Sequence, residues 1–136
     1  MNRIIIRLAA TVLVFLAGLN SADAQDRSYD VFKPIAKYLA RGDVESLSTW
    51  FDSHMEVTVF STTNDASRSQ AIQIIKSFFN SYTPRAFEVA HKAGRSNMKY
   101  ALGTLTAGGE LFLVTIFVSL EGENYKIQQL KIERLN

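Results

Sequence analysis

The stretch Lys99–Asn136, KYALGTLTAGGELFLVTIFVSLEGENYKIQQLKIERLN, reads as three consecutive strands joined by two glycine turns. Gly108-Gly109 is a two-residue hairpin signal, because glycine takes the positive φ that such loops need. With those residues as the loop, Leu105 faces Phe112, Gly103 faces Val114 and Ala101 faces Ile116. Small residues then stand opposite large ones, which is how a curved sheet fills its concave side. A second hairpin, with Gly122-Glu123 as its loop, sets Leu120 against Tyr125 and Val118 against Ile127. Past Ile127 the apolar phase slips, since the next apolar positions are Leu130 and Ile132. One extra residue at Gln128-Gln129 restores the register and pairs Ile116 with Leu130 and Val114 with Ile132. A bulge bends and twists its strand, so the sheet is expected to be strongly curved.

The core face of this meander is then Ala101, Gly103, Leu105, Phe112, Val114, Ile116, Val118, Ile127, Leu130 and Ile132. The other face carries Tyr100, Leu102, Thr104, Leu113, Thr115, Phe117, Gln129, Lys131 and Glu133, with an apolar middle and a polar edge. Two readings fit it. One is a solvated face that tolerates a few apolar groups. The other is a sheet-to-sheet homodimer contact around Tyr100, Leu102, Leu113 and Phe117, because contiguous exposed apolar groups mark partners.

Working back from the meander, Ala93 to Asn97 reads as a turn, preceded by a strand that sets Phe87, Val89 and His91 on one face. Pro84 ends the helix before it. That helix opens at Ser67-Arg68-Ser69-Gln70, which has capping-box spacing, and runs to about Ser81. Ala71, Ile74, Ile75, Phe78 and Tyr82 form its broad apolar face, widened by Ile72 and Phe79, so the sheet is expected to wrap it. Ser61 to Asp65 reads as a turn, and Met55, Val57 and Val59 alternate along a strand. Further back, Val44, Leu47, Trp50 and Phe51 share one face of a short helix that Asp43 can cap. Asp26 to Arg41 has the helical period of Val31, Ile35, Tyr38 and Leu39, with Pro34 near its first turn and Gly42 as its stop. Two helices, a strand, a helix and four strands make an α+β layout, one curved antiparallel sheet around a long helix, in the order ααβαββββ.

The chain begins MNRIIIRLAATVLVFLAGLNSADAQ, with Arg3 and Arg7 ahead of an apolar stretch and an Ala22-Asp23-Ala24 cleavage signal. This reads as a signal peptide over residues 1–24, cut between Ala24 and Gln25, leaving one domain over 25–136 in the periplasm or outside the cell. The apolar stretch, broken at Arg7, is too short to span a bilayer comfortably, which takes about 20 residues, and an uncleaved anchor is the alternative reading. Cleavage lowers the formal charge from +2 to +1, and no basic run survives it. A pI near 9.0 therefore reflects a small charge excess and gives no ground for nucleic-acid binding. With no cysteine, the domain has neither disulfides nor a lipid-anchoring N-terminal Cys, which suits a bacterial periplasm.

The element order, together with Gly42-Asp43, Leu47, Trp50-Phe51, Ser67-x-x-Gln70-Ala71, Phe78-Phe79 and Ile127-Gln128-Gln129-Leu130-x-Ile132-Glu133, resembles a known family. It is similar to small secreted proteins, mostly from Bacteroidetes, of domain of unknown function 4783. The resemblance covers nearly all of the chain after the leader. It implies a nuclear-transport-factor-two-like fold, also called cystatin-like, the cone shared with ketosteroid isomerase and scytalone dehydratase. It brings no assigned chemistry, and the wider superfamily includes enzymes, ligand-binding modules and dimeric interaction modules.

An isomerase in such a cone needs a carboxylate base and a hydrogen-bond donor for the developing oxyanion. Glu56 and Glu88 fall opposite their apolar neighbours, and Asp52 stands near the cone mouth without an evident donor partner. His91, on the apolar face of its strand, is the catalytic candidate, with Asp52 or Tyr100 to assist; the other reading is a hydrogen-bonded core or rim histidine. His54 and His91 lie far apart and no Cys is present, so no metal-ligand spacing exists and no cofactor is expected. Gly108-Gly109 lacks the following helix of a phosphate loop, and Ser67 and Ser69 belong to a helix cap. The expectation is an exported, non-enzymatic domain that binds a small apolar ligand or a cell-envelope protein. Its cavity would be bounded by Trp50, Phe51, Phe79, Phe87 and His91. An isomerase- or dehydratase-like enzyme using His91 and a structural homodimer are the alternatives.

Overall fold

A computed structural model describes residues 30–135, and its C-terminal strands pair in the register that the glycine turns dictate. Strands β4 (Met98–Ala107), β5 (Glu110–Glu121) and β6 (Asn124–Arg134) form the meander. Gly108 and Gly109 take φ of 58° and 78° in the first turn. Leu105 pairs with Phe112, Gly103 with Val114 and Ala101 with Ile116. On the other side Val118 pairs with Ile127 but Phe117 with Gln129, so Gln128 is the extra residue, and Ile116 meets Leu130. All ten core-face residues of the meander are buried.

The remaining strands are β1 (Phe51–Val59), β2 (Thr62–Ser67) and β3 (Pro84–Arg95), and the sheet order is β2-β1-β6-β5-β4-β3. Every neighbouring pair is antiparallel except β1 with β6, which run parallel. The six-stranded sheet corrects the expected order to ααββαββββ. Thr62–Ser67 is an edge strand exposed along most of its length, and only Ala66 is buried. Its polar residues therefore show no apolar alternation, and the turn shrinks to Phe60 and Ser61. A Thr58–Thr63 hydroxyl hydrogen bond of 2.9 Å ties it to β1. The loop before β4 likewise contracts to Ser96-Asn97, because β3 continues to Arg95.

Among the described residues three helices cover the concave face. α1 (Phe32–Arg41) has Pro34 in its first turn, where the missing N–H costs nothing. Gly42, at φ 67°, ends it, donating to the Leu39 carbonyl while Asp43 N–H donates to Tyr38, the paired bonds of a Schellman stop. The Asp43 carboxylate then accepts from the Ser46 N–H at 3.1 Å and caps α2 (Val44–Ser48). α3 (Arg68–Ser81) opens with the full capping box: Gln70 N–H donates to Ser67 Oγ and Ser67 N–H donates to Gln70 Oε1. α1 lies against β3 and β4, and α3 against β1 and β2. Ile35, Leu39, Leu47, Phe51, Ile75, Leu105, Phe112, Ile116, Ile127, Leu130 and Ile132 are fully buried in one contiguous core. Residues from Val31 on belong to one compact unit, Val31–Asn136. The expected leader, its cleavage at Ala24/Gln25 and the first part of the expected helix, Asp26–Tyr29, lie outside the described residues.

Candidate functional site

The residues expected to bound a cavity differ widely in burial. Phe51 is fully buried inside the packed core, and Phe79 is buried on α3. Trp50 is half-buried against that core, and its carbonyl accepts the Ile127 N–H. Phe87 lies across Gly103, whose absent Cβ makes the room: a methyl there would stand 2.4 Å from the ring. His91 departs furthest from expectation. The β3–β4 ladder pairs Val89 with Gly103 and then His91 with Leu102, so Ala90 is a bulge residue. That slip turns His91 to the convex face, exposed, with its ring 5.9 Å from that of Tyr100. His91 thus stands outside the cone beside Tyr100, and no hydrogen bond between it and a carboxylate is present among the described residues.

The convex face brings the other predicted set together. Tyr100 and Phe117, cross-strand partners, stack with ring centroids 6.2 Å apart and planes 13° from parallel. Leu102 and Leu113 flank them on β4 and β5, and all four are half-buried in the single chain. Met98 and Leu111, 45% and 47% exposed, extend the strip along both strands. These two lie at strand ends beside turns, where alternation carries the least signal. A polar border runs along β6 and β1: Lys131 pairs with Glu133 at 3.4 Å, and Gln129 donates to Glu56 at 3.0 Å. This face thus has an apolar centre with a polar border on its β6–β1 side.

Asp52 has a partner after all. The Gln128 bulge places its amide against two carboxylates, donating to Asp52 at 2.8 Å and to Glu121 at 3.2 Å. Burial raises the Asp52 pKa, but bonds from Gln128, Glu121 and the Ser53 N–H outweigh it and leave the group below its usual value. Glu121 moves the other way, raised by its hydrogen bond to Asp52 and by the charge of that neighbour. The two carboxyls hold a proton between them more readily than either would alone. Among the described residues no group of three or more His, Cys, Asp or Glu could hold a metal ion, and no helix is long and apolar enough to cross a membrane.

With this geometry in place, comparisons fix the family. The chain belongs to the domain of unknown function family DUF4783, whose profile matches residues 32–133. A DUF4783 protein from Bacteroides uniformis superposes with a TM-score of 0.75 at 19% identity, covering 79% of this chain and 99% of that one. One from Bacteroides ovatus gives 0.73 at 21% identity, covering 76% and 94%. A domain of unknown function with a cystatin-like fold from Nostoc punctiforme gives 0.61 at 17% identity, covering 86% and 77%. The fold is therefore the nuclear-transport-factor-two-like, cystatin-like α+β cone. No curated protein matches the chain.

Proposed function

We propose that this chain is an exported, non-enzymatic binding module that self-associates through its convex sheet face. The observation that carries the reading is the apolar strip on β4 and β5: stacked Tyr100 and Phe117 between Leu102 and Leu113, rimmed by paired polar side chains. Two such faces packed together bury the aromatic centre and leave the charged border wet, as interfaces do. The filled interior supports this reading over a small apolar ligand in the cone, because Phe51, Leu105, Phe112 and Leu130 occupy the space such a ligand would take. The His91 position weighs against the isomerase-like alternative, since the imidazole faces away from the core.

Sedimentation of the chain from Gln25 at high micromolar concentration tests the proposal. The expected result is a dimer that Phe117→Lys converts to a monomer with unchanged far-UV circular dichroism. A wild-type monomer across the accessible range overturns self-association.

A further inference from the structure

A groove independent of the convex face runs along the outer flank of α3 where the β1–β2 hairpin leaves it uncovered. It measures about 410 Å³ and is lined by Val59, Phe60, Gln73, Ile74, Ser77, Phe78, Ser81 and Tyr82. That size falls in the range of small-molecule sites. Its wall on the helix has two parallel stripes at four-residue spacing. Ile74, Phe78 and Tyr82 make an apolar stripe; Gln73, Ser77 and Ser81 make a stripe of one amide and two hydroxyls beside it.

Phe60 closes the groove from the hairpin. It is the one non-glycine residue with positive φ among the described residues, at 59°, and the residue is 37% exposed. Positive φ is what a two-residue hairpin turn needs at its first position, and meeting it with an aromatic residue costs energy that glycine would not. The ring is held in place by edge contacts to Phe78 and Tyr82 and by the Arg134 guanidinium 4.7 Å from its centroid. Arg134 also donates to the Tyr82 hydroxyl at 2.8 Å, which orients that hydroxyl to donate in its turn. Arg134 stands at the groove's edge with its charge matched by Glu110, and no cation is among the lining residues. A neighbouring hollow that shares Gln73 and Ile74 adds Asn64, Asp65 and Gln70.

We infer that this groove binds a neutral saccharide, one ring of which lies against Phe60 with its hydroxyl edge on the Gln73-Ser77-Ser81 stripe. A pyranose has this two-sided character: an apolar C–H face and a rim of hydroxyls that both donate and accept. Serine hydroxyls and glutamine amides match that rim because they too both donate and accept. An acyl chain would gain nothing from the exposed polar stripe, and the cation at the groove's edge, Arg134, is already paired with Glu110 and so offers an anion little.

The test is a heteronuclear NMR titration of the chain from Gln25 with maltose, cellobiose and N,N′-diacetylchitobiose, each neutral. At least one is expected to shift the amide resonances of Gln73, Ser77 and Ser81 saturably while those of Tyr100 and Phe117 stay still. Phe60→Gly relieves the positive-φ strain and removes the ring, so the protein folds while affinity falls by about tenfold. Ser77→Val, on an exposed helix position, is expected to weaken binding similarly. No saturable shift up to the solubility of all three sugars overturns the inference. So does binding that both variants leave unchanged, or an uncharged tripeptide that outcompetes every sugar. The sugar result is independent of the oligomeric state, so either proposal can fail alone.

Discussion

Replacing Gly103 by alanine sets two effects against each other at one atom. Gly103 does not need positive φ, so a side chain suits its backbone, and losing glycine from a strand is worth up to about 1 kcal/mol. The added Cβ, however, would stand 2.4 Å from Phe87 Cζ, 2.8 Å from Phe87 Cε1 and 2.7 Å from the Glu88 carbonyl oxygen. Carbon atoms rest about 3.5–4.0 Å apart, so the ring must retreat by more than an ångström. The carbonyl, in the ladder strand β3, has less freedom to move. Overpacking of this kind costs about 1–3 kcal/mol, which exceeds the propensity gain. A net loss of roughly 1–2 kcal/mol lowers the urea midpoint by on the order of 1 M, given m-values of about 1–3 kcal/mol/M for small domains. Urea melts of Gly103→Ala, Phe87→Ala and the double variant measure it. With the ring removed the close carbonyl contact remains, so the alanine penalty should shrink without vanishing. A neutral or stabilising Gly103→Ala, or an equal penalty in both backgrounds, would refute the reading that Phe87 occupies the place of the missing side chain.

Gly42→Ala should cost more, because the residue sits at φ 67° and its Cβ would come within 2.6 Å of Pro84 Cγ; the left-handed backbone alone accounts for about 1–2 kcal/mol, read as a fall in Tm on the order of 5–10 °C. The Asp52–Glu121 pair predicts opposed pH dependences. Glu121, with its folded pKa raised, stabilises below its unfolded value of 4.5, and that contribution is lost as pH rises through the folded value. Asp52, with its folded pKa lowered, stabilises above 3.8 and loses that contribution as pH falls through its folded value. Glu121→Gln should therefore raise Tm slightly at neutral pH and flatten the rise in stability on mild acidification. Superimposable Tm–pH curves for the two proteins would show that the carboxyls do not interact.

Much of the sheet could be read directly, and the exceptions have physical causes. The bulge at Gln128 is visible because apolar residues stand on both sides of it, Ile127 before and Leu130 after, and their spacing exposes the slip. The bulge at Ala90 is invisible because His91-Lys92-Ala93-Gly94-Arg95 offers no buried residue to betray the change of phase. His91 consequently reads as facing inward while it stands outside. β2 is hidden for a related reason: solvent along its length removes the alternation by which strands are recognised. The convex strip of Tyr100, Leu102, Leu113 and Phe117 follows from the hairpin registers alone. The groove beside α3 does not, because Ile74, Phe78 and Tyr82 look like any other part of a broad apolar face. Which part stays uncovered depends on where Phe60 turns the chain, and positive φ at a phenylalanine leaves no trace in composition.

The parallel pairing of β1 with β6 also governs when the domain can fold. Phe51 lies against Ile127 and Val59 against Ile132, joining the first strand to the last across most of the chain. The β5–β6 hairpin can close locally, but the β1–β2 hairpin reaches the rest of the sheet only through β6. Contacts of such separation must wait for a large loop to close, which slows folding and makes it late. A chain emerging from a ribosome thus cannot lock its sheet until the final strand is free. The topology itself keeps the polypeptide open while it is being made.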